Sequence, residues 1–131
     1  MAPILASDRD AGATAATVNN ATRAGVAGDI EATTRSLSAI EPPSGPGWLV
    51  TNPPYGVRVG DRDRLKNLYA QLGNVVRSKC PGWKVAMLSA DRDLTRQTGL
   101  PLTSRLVTSN GGIPVSAVAG TVAARRSAVR E

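Results

Sequence analysis

Pro53 and Pro54 follow directly on the apolar run Trp48-Leu49-Val50-Thr51. Proline fixes φ and lacks an N–H, so neither residue can continue a central strand or enter the interior of a helix. The apolar run therefore reads as a short buried strand that ends at Thr51. Residues that precede a proline are held extended. Asn52-Pro53-Pro54-Tyr55 is thus expected to be a stiff loop with outward carbonyls and no competing backbone donors.

The rest of the chain alternates short apolar runs with helical segments, the pattern of an α/β domain. "PILAS" reads as a strand. The Ala-rich "AGATAATVNNATR" reads as a helix capped by Asp10 and stopped near Gly25. "DIEATT" is a weaker strand, and "SLSAIEPPSGPG" is a loop. Leu65, Leu68, Leu72, Val75 and Val76 fall at helical spacing, with Asp61 or Asp63 as the cap and Pro81-Gly82 as the end. "WKVAMLS" is a strand, and "DRDLTRQTG" is a short helix with Asp91 near its start. "RLVTSNGGIPVSAVAG" reads as two strands around Asn110-Gly111-Gly112. Residues 1–122 are expected to form the domain, with 123–131 as a disordered basic tail.

Composition narrows the chemistry. The 131 residues suffice for one core, but the aromatic side chains are only Trp48, Trp83, Tyr55 and Tyr69. The core must come from Leu, Ile, Val and many Ala, and is expected to be thin. Net charge is +6, and 13 of the 16 basic residues are Arg, interleaved with acids. That balance mildly favours polyanionic partners. Cys80 stands alone, which excludes an internal disulfide. There is no His, which excludes His-based triads and the usual zinc arrangements. No run of about 18 apolar residues is present, so no membrane span is expected. "MAPILASDRD" lacks a basic n-region, so a cytoplasmic location is expected. The acids of "SDRD" and "ADRD" give little support to a metal hydrolase, and no metal site is expected.

Ligands of open α/β sheets bind at the carboxyl ends of strands. Asp8 lies at one such end. It suits the two hydroxyls of a ribose, or with Asp10 it serves only to cap the next helix, and the two readings coexist where Asp10 caps and Asp8 binds. The Asn-Pro-Pro-Tyr loop lies at another. There the Asn52 side-chain oxygen and the Pro53 carbonyl can both accept from one NH₂ group, with Pro54 stiffening the loop and Tyr55 as a stacking surface for a base. Two acceptors on an exocyclic amine favour a pyramidal nitrogen and stabilise the charge that develops as it is methylated. A plain Asn-Pro turn is the alternative. Arg58, Arg62, Arg64 and Lys66 follow the loop, where they meet phosphates or form a solvated helix start.

On these residues the chain resembles the class I, Rossmann-like S-adenosylmethionine-dependent amino methyltransferases of nucleic acids. Among them it looks like the THUMP-associated ribosomal RNA guanine-N2 methyltransferases of bacteria. "ILASDRDAGATAATVNNATRAGV" resembles the segment whose acid grips the cofactor ribose, which implies Asp8, with Arg9 beside the adenine. "WLVTNPPYGVRVGDRDRLKNLYAQLGNVV" resembles the catalytic strand, loop and helix, which implies Asn52, Pro53, Pro54 and Tyr55. "GWKVAMLSADRDL" and "SNGGIP" resemble the end of the domain. The implied fold is a Rossmann-like class I methyltransferase sheet ending in an antiparallel hairpin. It is incomplete, because the family's first strand and Gly-rich loop have no counterpart here. The family's third-strand acid is replaced by Ser36, Ser38 and Ala39, with Asp29 too early to substitute. The resemblance implies S-adenosylmethionine as cofactor and RNA, ribosomal RNA above all, as partner, the chain being the C-terminal catalytic part. A missing N-terminal segment or partner chain would complete the sheet, and the isolated chain is expected to bind the cofactor poorly. Adenine-N6 methylation and a non-catalytic RNA- or partner-binding remnant are the alternatives.

Overall fold

The computed structural model describes residues 2–55 and 61–124. Gly56 and Arg58, and residues 125–131 of the expected tail, lie outside the described residues. The chain divides into two compact units, Met1–Ser44 and Gly45–Glu131.

The first unit is a β-α-β crossover. Strand β1 (Ile4–Asp8) leads into helix α1 (Ala11–Arg23), and strand β2 (Ile30–Thr34) returns parallel to β1. Asp10 starts the helix: its carboxylate accepts from the Gly12 N–H at 3.0 Å. Gly25 stops it at a φ of +77°, which favours glycine. Ala21 is the one buried hydrophobic residue among those described here, while Ile4, Leu5 and Val18 are exposed. The expected thinness of an Ala-rich core is realised in this unit.

The second unit holds strand β3 (Trp48–Thr51), helix α2 (Arg62–Lys79), strand β4 (Lys84–Ser89), helix α3 (Arg92–Gln97) and strands β5 (Thr103–Asn110) and β6 (Ile113–Thr121). The sheet order is β3-β4-β6-β5. β3 and β4 are parallel, whereas β6 runs antiparallel to both β4 and β5. Gly111 and Gly112 form the two-residue hairpin turn at positive φ, 58° and 83°. Pro114 is tolerated in a central strand because it lies beyond the last β4–β6 pair, Ser89–Ser116.

The buried hydrophobic residues of this unit include Leu65, Tyr69, Leu72 and Val76 of α2, Val85 and Met87 of β4, Leu94 of α3, and Val115 and Val118 of β6. Leu68 and Val75 of the same periodicity are only partly buried. Asp61 stands at the N-cap of α2, but its backbone is already helical and its side chain makes no capping bond, while Asp63 lies within the first turn. The expected carboxylate cap is therefore not used. α2 approaches α3 closely at Gly73, where a Cβ would sit 1.8 Å from the Thr98 carbonyl oxygen.

The described strands form two sheets, β1-β2 and β3-β4-β6-β5, in keeping with a sheet that lacks its first strand. Among the described residues β1 pairs with β2 alone, and β3 with β4 alone. On β3, Trp48 and Val50 are 58% and 75% exposed, so the apolar run expected to be buried is buried only in part.

Candidate functional site

β3 delivers the chain to the loop and the prolines end the ladder at Thr51, as their chemistry requires. Asn52 is exposed, and Tyr55 is half-buried. The loop is tied at three points. The Tyr55 hydroxyl donates to Asn52 Oδ1 at 2.6 Å. The Tyr69 hydroxyl, from α2, donates to the Pro54 carbonyl at 3.0 Å. Asn110 Nδ2, from the end of β5, donates to the Tyr55 hydroxyl at 3.2 Å. Among the described residues none donates to the Pro53 carbonyl.

The sequence reading missed Tyr69 and Asn110. Tyr69 stands on the apolar face of α2, and a buried phenol needs a partner for its hydroxyl. The donor-free loop just upstream offers such carbonyls, and that pairing was the available signal. Asn110 read only as a turn former, because nothing local links it to a loop 55 residues earlier. Burial pushes the Tyr69 phenol up to about 12, with lesser contributions from Tyr55 and Asp91. It stays a donor across the physiological range.

Arg62 is committed elsewhere. Its guanidinium meets Asp91 Oδ2 at 2.6 Å and Asp93 Oδ2 at 3.3 Å, joining the starts of α2 and α3. The expectation that it reaches a phosphate is set aside on that ground. Arg64 is exposed and Lys66 half-buried. The Arg62 hydrogen bond, aided by the Asp93 and Leu94 backbone N–H groups, holds the Asp91 carboxyl below the usual carboxylate range. Both Asp91 oxygens are thereby occupied, Oδ1 by the N-terminus of α3 and Oδ2 by Arg62. No cluster of three or more metal-ligating acids, Cys or His occurs among the described residues.

In the first unit, Asp8 ends β1, and its Oδ1 accepts from the Asp10 N–H at 2.9 Å. The two readings of "SDRD" separate here, since Asp10 caps the helix and Asp8 does not. Asp8 is exposed, and its second oxygen has no partner among the described residues. A carboxylate oxygen open at a strand's carboxyl end fits a ribose hydroxyl. Arg9 is exposed beside it. No helix among the described residues is long and apolar enough to cross a membrane.

The family model of UPF0020, described as an RMKL-like methyltransferase domain, matches residues 1–116. A ribosomal RNA large subunit methyltransferase K/L of Shewanella sp. (strain W3-18-1) is 40% identical over 107 residues, which are 82% of this chain and 15% of that protein. A candidate RNA methyltransferase of Synechocystis is 35% identical over 113 residues, 86% of this chain and 29% of that protein. The chain therefore spans less than a third of the length of these curated relatives. Among solved structures, SMU.472, a candidate methyltransferase complexed with SAH, superimposes with a TM-score of 0.79 at 22% identity, over 95% of this chain and 32% of that one. That likeness shows the fold: the mixed α/β arrangement is that of class I methyltransferases.

Proposed function

The chain belongs to the RMKL-like methyltransferase domain family, UPF0020, and on that premise we propose that it is the C-terminal catalytic part of an RNA methyltransferase that modifies an exocyclic base amine, guanine N2 of large-subunit ribosomal RNA in the first instance. The observation that carries this reading is the loop of two prolines, in which oxygen acceptors are anchored and no backbone donor competes.

S-adenosylmethionine supplies an activated methyl group on a sulfonium, so this chain need only bind, orient and stabilise charge. Asp8 would hold the ribose hydroxyls through its open oxygen, with Arg9 beside the adenine. Asn52 Oδ1 and the Pro53 carbonyl accept from the two N–H groups of the target amine. Tyr55 lends its ring face to the base, and Pro54 keeps the loop from relaxing. The two oxygens would stabilise the positive charge that methylation develops on the nitrogen between them. One amine proton then leaves to solvent, and no imidazole is called for.

The names of the Shewanella relatives favour RNA over DNA. The test is methylation of large-subunit ribosomal RNA with labelled S-adenosylmethionine, followed by nucleoside analysis. N2-methylguanosine that disappears with Asn52→Ala supports the reading. N6-methyladenosine moves the target to adenine. RNA binding without any methylated nucleoside, in a chain that binds the cofactor, retires the catalytic role.

A further inference from the structure

The loop offers a target amine three oxygens: Asn52 Oδ1, the Pro53 carbonyl and the Pro54 carbonyl. Neither proline has an N–H, so neither can anchor the loop through a backbone donor of its own. Two side chains outside the loop, both in the same compact unit, anchor it instead. Tyr69, 1% exposed on α2, donates its single hydroxyl proton to the Pro54 carbonyl. The second side chain is Asn110. A phenol hydroxyl has one proton to give and lone pairs to receive. Because Asn110 Nδ2 donates to the Tyr55 oxygen, the Tyr55 proton is committed to Asn52 Oδ1. The chain of donors therefore runs in one direction, from Asn110 through Tyr55 to Asn52. It holds the Asn52 amide with its oxygen, rather than its NH₂, on the tyrosine side. A carbonyl-type oxygen has a second lone pair, which stays available.

We propose that Tyr69 and Asn110 are positioning residues of the loop: Tyr69 pins the Pro54 carbonyl and with it the turn that presents the Pro53 carbonyl, and Asn110 orders Tyr55 and Asn52, so that Asn52 Oδ1 and the Pro53 carbonyl are held where an amine can meet both. This rests on the amine-binding reading above. It adds a reason for the hairpin to reach the loop, and for a helix otherwise apolar on its buried face to carry a phenol there.

The experiment uses the ¹⁵N-labelled 131-residue chain and two isosteric variants. Tyr69→Phe keeps the ring and removes the proton. Asn110→Asp keeps the shape and replaces a donor by an acceptor. In Tyr69→Phe the order parameter of the Tyr55 backbone amide is expected to fall from about 0.85 to below about 0.6, with the sheet amides unchanged. In Asn110→Asp the same fall is expected at the Asn52 side-chain amide. A merely structural role would lower the melting temperature without confining the change to the loop. Wild-type order at both probes in both variants would overturn the proposal. A second arm titrates guanosine monophosphate into the three proteins, read at the Asn52 amide. An apparent Kd raised at least tenfold in each variant supports the positioning role. Order lost in the variants, with no nucleotide response even in the wild type, retires the amine-binding reading and the role of both residues in it.

Discussion

The Tyr69 hydroxyl on α2 donates to the Pro54 carbonyl across 3.0 Å, so the most buried phenol in the described chain is tied to the Asn-Pro-Pro-Tyr loop. Helix and loop are consecutive in sequence, yet this bond closes only when α2 packs on the sheet.

The burial of that phenol sets a pH dependence. Tyr69 titrates at about 12 when folded and near 10 when unfolded. A raised folded pKa means the contribution is fully present below pH 10 and is lost as the pH rises from 10 towards 12. The lost amount is on the order of 2–3 kcal/mol. Urea denaturation between pH 8 and 12 is expected to show this decline in the wild type and much less of it in Tyr69→Phe. At pH 8 that variant is expected to lose about 1 kcal/mol, since the Pro54 carbonyl is exposed enough to rehydrate.

Gly73→Ala gives a sign test. In an ordinary helix interior, replacing Gly by Ala gains roughly 0.5–1 kcal/mol. Here the added Cβ would lie 1.8 Å from the Thr98 carbonyl oxygen, which is backbone and itself held by Arg77 at 2.6 Å. The substitution is therefore expected to destabilise by about 3 kcal/mol, the upper end of overpacking costs. The contrast is Gly12→Ala in α1, where the nearest contact is an ordinary 3.4 Å. That variant is expected to be neutral or slightly stabilised in the same denaturation assay.

Arg62 and Asp91 couple the starts of α2 and α3. Because the folded Asp91 carboxyl lies below its ordinary value, its contribution is present above the unfolded carboxylate pKa of about 3.9 and is lost as the pH falls through the folded value. Arg62→Ala removes the largest cause of that depression. The Asp91 carboxylate carbon, followed by NMR, is then expected to titrate nearer the ordinary range. The α3 amides are expected to lose protection at a correspondingly higher pH.

Asp8 and Asp10 should separate cleanly. Asp10→Ala is expected to cost about 1 kcal/mol through the lost cap of α1 and to leave cofactor affinity alone. Asp8→Ala is expected to lower the affinity for S-adenosylhomocysteine at least tenfold, with little change in the helix. Calorimetric titration of both variants reads the difference. Equal losses would mean that Asp8 acts only through the turn it forms with Asp10.

Local chemistry made much of the fold legible. The ends of α1 follow from Asp10 and Gly25, the β5–β6 turn from Gly111-Gly112, and the start of α3 from Asp91. Each is decided by one residue's φ or by one short-range acceptor. The stop of β3 likewise follows from two residues without N–H groups. The cap of α2 was misjudged, because Asp61 has a suitable side chain but a backbone already turned into the helix. Arg62 was offered to phosphates because its partners lie 29 and 31 residues away, beyond the reach of any local pattern.

The sequence by itself determined the elements, their order and a loop poor in backbone donors, because φ restriction, missing donors and apolar periodicity act over a few residues. Tertiary structure alone decided which side chains hold that loop. Tyr69 and Asn110 reach Pro54 and Tyr55 from 15 and 55 residues away. A hydrogen bond depends on distance in space, and only the packing of α2 and the pairing of β5 with β6 bring those atoms to the loop.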